Sequence, residues 1–109
     1  MAFDEHLAGR IRAHLSSRSD VVEKKMFGGI CFMVSGNMAC GVHKDSLIVR
    51  MGPDQAAARL ERPGARVFDL TGRAMKGWLT VEPAGLTSDA TLHEWLELGT
   101  AHAASLPPK

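Results

Sequence analysis

Between Met26 and Met51 three apolar runs follow one another with almost nothing between them, and this arrangement constrains the fold more than any other feature of the chain. Ile30-Cys31-Phe32-Met33-Val34 passes into Ser35-Gly36-Asn37. Met38-Ala39-Cys40-Gly41-Val42 passes into His43-Lys44-Asp45, and Leu47-Ile48-Val49-Arg50-Met51 ends at Gly52-Pro53. Connections this short join only antiparallel neighbours, because a parallel crossover needs a dozen or more residues. The stretch therefore reads as a meander. In its first run both alternating sets are apolar, with Ile30, Phe32 and Val34 on one side and Cys31 and Met33 on the other. A sheet that is apolar on both faces has to be covered on both.

The flanking segments supply helices. Phe3, Leu7, Ile11 and Leu15 repeat every fourth residue, which predicts an amphipathic first helix ending at Ser16-Ser17-Arg18-Ser19-Asp20. Val21 to Phe27 reads as a first strand, edge-like because of Glu23-Lys24-Lys25, followed by a bend at Gly28-Gly29. Gly52-Pro53-Asp54 starts a short Ala-rich helix over Gln55 to Glu61, which Pro63-Gly64 stops. Ala65 to Leu70 reads as extended, Thr71-Gly72-Arg73 as a turn, and Gly77 to Glu82 as the last strand. Ser88 is the N-cap of a long final helix whose apolar face is Leu92, Trp95, Leu96, Gly99, Ala103 and Leu106. Strands grouped together rather than alternating with helices predict an α+β fold. It is a single domain over residues 1–109, with a mainly antiparallel sheet of about five to six strands, N- and C-terminal helices packed on it and a short helix between strands. The two long helices cover one sheet face. The short helix, or a second copy of the chain in a homodimer, is expected over the other.

Thirteen Lys and Arg against twelve Asp and Glu leave a net charge of +1. Direct nucleic-acid binding through phosphate neutralisation normally shows a strong basic excess, so this balance speaks against it, and equally against docking on an anionic membrane. No apolar run approaches the ~18 residues of a membrane span. The N-terminus carries Asp4 and Glu5 where a secretory signal would be basic, so a cytoplasmic protein with reduced cysteines is the expectation.

Groups able to do chemistry are scattered. With Gly36-Asn37 as the hairpin turn, Met33 falls opposite Cys40, and Cys31 lies diagonally across on the same face, about 7 Å away and too far for an unstrained disulfide. His43 then points to the opposite face, so two reduced core thiols are expected and no metal site. His6, His14, His43, His93 and His102 show no ligand spacing, no GxSxG elbow is present, and tyrosine is absent. The expectation is a protein with no catalytic residues, no cofactor and no metal, and not an enzyme. What remains is a set of cations and an indole, Lys24, Lys25, Arg66, Arg73, Lys76 and Trp78, which would form a partner- or anion-binding lip if the fold gathers them. The plainer alternative is a solvated loop with Trp78 plugging the core. The same cations would serve a nucleic-acid-associated module, and Met26, Phe27, Met33 and Met75 would line the pocket of a small-molecule-binding domain.

Taken together, Lys25-Met26-Phe27-Gly28-Gly29, Gly36-Asn37-Met38 with Gly41-Val42, Leu47-Ile48-Val49-Arg50 and Phe68-Asp69-Leu70-Thr71-Gly72-Arg73-Ala74-Met75-Lys76-Gly77-Trp78 resemble the N-terminal domain of the TfoX (Sxy) family. The resemblance runs from about Phe3 to Pro108 and implies an α+β fold in a bacterial cytoplasmic protein. It further implies a regulator of competence genes working with a cyclic-AMP-responsive activator of transcription, hence a protein partner and no family catalytic residues. Full-length members carry a second, helical C-terminal domain, so the resemblance leads us to expect a stand-alone first domain here.

Overall fold

The structure, a computed structural model, describes residues 4–26, 29–68 and 77–107. Chain order is α1 (Glu5–Leu15), β1 (Val21–Met26), β2 (Gly29–Val34), β3 (Asn37–His43), β4 (Ser46–Arg50), α2 (Pro53–Ala58), β5 (Ala65–Val67), β6 (Trp78–Val81), a single 3-10 turn (Pro83–Gly85) and α3 (Asp89–Ser105). All six strands form one antiparallel sheet in the order β1-β2-β3-β4-β6-β5. The expected meander is therefore four strands long. After α2 the chain takes the far edge as β5 and comes back between β4 and β5 as β6.

The helices lie where their apolar stripes require. Leu7, Ile11 and Leu15 of α1 and Leu92, Trp95, Leu96 and Ala103 of α3 join Ile30, Phe32, Val34, Val42, Leu47, Val49, Leu79 and Val81 in one buried cluster. Each such side chain contributes about 1.5–3 kcal/mol by leaving water. Asp4 caps α1, its Oδ1 accepting from the amides of His6 at 2.8 Å and Leu7 at 3.1 Å. Ser88 caps α3 by accepting from the Thr91 amide at 3.2 Å. Gly99 is needed for close approach, since a β-carbon there would stand 2.4 Å from the Ala39 carbonyl oxygen.

Three expectations need correction. The hairpin turn is Ser35-Gly36, with φ of 51° and 83°, the paired positive values that a two-residue type I′ connection requires. Val34 then faces Asn37 and Met33 faces Met38, and a bulge at Ala39 resets the register so that Phe32 faces Cys40 and Cys31 faces Gly41. Cys31 and Cys40 consequently point to opposite faces, and His43 shares the face of Cys31. Second, α2 is shorter than expected. The Gly52 amide donates to Gln55 Oε1 at 3.2 Å to start it. After Ala58 the chain proceeds by separate turns at Ala56–Arg59, Arg59–Arg62 and Arg62–Ala65, as suits a segment approaching Pro63. Third, α2 does not cover the second sheet face, because Ala56 belongs to the same cluster as α1 and α3.

Candidate functional site

The second sheet face carries the unusual chemistry. Among the described residues no helix packs on it. Across its middle, strand register aligns Lys24, Cys31, Gly41, Ile48, Thr80 and Arg66, one residue from each strand. Cys31 and Ile48 are buried at 5% and 4% exposure yet stand outside the main core cluster. Burial pushes the Cys31 thiol up, and pushes that of Cys40 up to about 12, so neither is a ready thiolate nucleophile at neutral pH. Both cysteines are free.

One row further along, an aromatic ledge is assembled from residues distant in the chain. Arg50 and Trp78 are register partners, and the Arg50 guanidinium lies 5.5 Å from the indole centre. Phe68 follows β5 and meets Trp78 with ring centroids 5.9 Å apart, tilted by 36°. Trp78 is half-buried here and does not plug the main core.

From Phe68 across the middle row toward the β3–β4 turn runs a polar cleft of about 250 Å³. Its floor is Ile48, Ser46 and Thr80, and its walls are His43, Lys44, Asp45, Arg66, Phe68 and Glu82. The β3–β4 turn builds one wall, since Lys44 takes φ of 56° and His43 pairs with Ser46 across it. The opposite wall comes from β5 and the end of β6, where Arg66 Nε stands 3.7 Å from Glu82 Oε1. A second surface groove of about 620 Å³ runs between α2 and α3, lined by Gln55, Glu94, Leu98 and His102 among others. Its polar groups are largely engaged: Glu94 holds Arg62 through two hydrogen bonds, and Gln55 caps α2.

The cations singled out in the sequence fall in different places. Lys24 lies on the second face at the β1 edge. Lys25, its neighbour, pairs with Ile30 and so projects to the helix side. Arg66 sits on β5 at the opposite edge, five strand spacings or about 24 Å from Lys24. Arg66 and Trp78 do share a face, flanking Phe68. Arg73 and Lys76 lie outside the described residues, as do Phe27, Met75 and the Met26 side chain of the methionine pocket. Sequence reasoning missed His43, Ser46, Thr80 and Glu82 as a group. Their signal was present as polar residues at the alternate positions of otherwise apolar strands, but it needed the strand order to bring them together. It also missed the stacking of His14 on His93, at 4.0 Å between ring centroids, which joins α1 to α3 beside Glu97.

The family model of the TfoX N-terminal domain matches residues 13–103. The chain belongs to that family. The match takes in every strand of the sheet, the aromatic ledge and all residues of the polar cleft, so this face is part of the TfoX N-terminal domain itself. No curated protein and no solved structure was found to match the chain. Among the described residues no helix is long and apolar enough to cross a membrane.

Proposed function

We propose that this TfoX N-terminal domain acts without catalysis, as a regulatory module that binds a protein partner in transcription control. The observation that carries the reading is the ledge of Trp78, Phe68 and Arg50 on a sheet face with no helix over it among the described residues. Tryptophan and arginine are the residue types that most often anchor protein interfaces, and a half-buried indole already held by two neighbours loses little freedom on binding. The two buried thiols support the non-catalytic part of the reading, because burial holds both in the protonated form.

A second copy of the chain is the less favoured partner. The sheet edge nearest Val22, which is 56% exposed, also carries Glu23, Lys24 and Lys25, and charges on an edge strand resist edge-to-edge pairing. The nucleic-acid reading has weaker support still, with Lys24 and Arg66 at opposite edges and Lys25 on the other face.

The test is genetic and uses the native host. A chromosomal Trp78→Ala variant is expected to reproduce the transcript changes of a gene deletion at unchanged protein level. Glu97→Gln, on α3 and away from the ledge, is expected to leave transcripts as in the wild type. A wild-type transcript profile from Trp78→Ala would overturn the reading.

A further inference from the structure

The polar cleft is chemically different from the ledge beside it, and its lining specifies a ligand. Lys44 and Arg66 supply two cations and Asp45 and Glu82 two carboxylates, so these four side chains together carry no net charge. A phosphate-rich ligand would gain from the cations and lose as much to the carboxylates, so the cleft is not a phosphate cradle. Its volume, about 250 Å³, lies below the range of roughly 300–1,000 Å³ that drug-sized ligands occupy, which limits the occupant to a small molecule.

The Arg66–Glu82 pair narrows the choice. At 3.7 Å, with side chains 58% and 51% exposed, it is too long for a direct hydrogen bond and contributes little to stability. Both groups therefore keep their hydrogen-bonding capacity for something else. They present a positive and a negative charge side by side above a floor that is part apolar, from Ile48, and part hydroxyl, from Ser46 and Thr80. A molecule bearing an ammonium and a carboxylate on one carbon matches that pair head to tail.

We infer that this cleft binds a small zwitterion of the free α-amino-acid type. Arg66 takes the carboxylate through its planar fork, Glu82 takes the ammonium, and the ligand's side chain lies on Ile48 against Phe68. The site rests on Arg66 and Glu82 rather than on the Trp78 anchor of the partner reading, although Phe68 borders both.

The experiment uses the whole chain with L-alanine, L-glutamine and L-phenylalanine at millimolar concentration. The comparison compounds are 3-phenylpropanoate, 2-phenylethylamine and inorganic phosphate, read by thermal shift and titration calorimetry. At least one amino acid is expected to raise the melting temperature by about 5 °C at roughly ten times its Kd, while the half-molecules and phosphate give no shift. Arg66→Ala and Glu82→Gln are each expected to weaken binding about tenfold or more. Both side chains are more than half exposed, so the variants should fold, and the melting temperature without ligand checks this. Lys24→Ala, at the other edge of the same face, should bind as the wild type does. Absence of a shift with all three amino acids overturns the inference. So does an equal response to phosphate or to either half-molecule, or unchanged binding by Arg66→Ala.

Discussion

The two faces of the sheet are built from alternate residues of the same strands, and they have been put to different uses. On the helix side, Leu47 and Val49 of β4 are fully buried under α1 and α3 in a cluster that includes Trp95. On the other side, Ile48 and Arg50 of the same strand stand next to Thr80 and Trp78, among hydroxyls, an aromatic pair and opposed charges. The first face spends its side chains on cohesion. The second mixes buried apolar residues with polar groups whose hydrogen-bonding capacity is only partly used, as binding surfaces do. The contrast shows that apolar alternation on both faces of a strand does not imply two equivalent cores.

The sharpest way to break this contrast is to truncate neighbours that point in opposite directions. Leu47→Ala is expected to lower the unfolding free energy by about 4 kcal/mol and Ile48→Ala by about 2 kcal/mol, the upper and lower parts of the range for such changes. Equal costs in urea denaturation would mean that the second face is packed as tightly as the first. Gly99→Ala tests the approach of α3 to the bulged β3. The added β-carbon meets the Ala39 carbonyl oxygen at 2.4 Å, so a net loss of about 1–2 kcal/mol is expected although alanine favours a helix. A gain in stability would show that the helix can lift away at no cost. Trp78→Ala removes the ledge but little cohesion, and should cost only about 1 kcal/mol. A loss matching Leu47→Ala would make the indole a core residue after all.

The smallest effect concerns pH and lies on the helix side. Burial, and then the charge of Arg50, hold His102 below its ordinary pKa of 6.5, so the folded state binds the proton less readily than the unfolded chain. That stabilisation is fully present above pH 6.5 and is lost as the pH falls through the lowered value. His102→Gln should flatten this acid limb of a melting-temperature profile and leave the limb above pH 7 unchanged. An unaltered acid limb would remove His102 from the account.

Much of this molecule could be read directly from the order of its residues. The spacing of Leu7, Ile11 and Leu15 dictated α1, Ser88 marked the start of α3, and the short connections between apolar runs required antiparallel neighbours. These are local signals, set by helical periodicity, capping and chain reach, and they need no knowledge of distant residues. The pairing of Met33 with Met38 was misjudged because the turn lies one residue earlier, which moves each partner by two, and the facing of Cys40 was misjudged because the Ala39 bulge turns the rest of β3 over. Neither the cleft nor the ledge was legible. Both depend on β6 inserting between β4 and β5, which brings Thr80 beside Ile48, Trp78 beside Arg50 and Arg66 beside Glu82. Local propensity thus determined the elements and their amphipathic stripes. The neighbours of each side chain across the sheet were decided only when long-range strand pairing set the order, because hydrogen-bonded register couples residues that the linear chain keeps far apart.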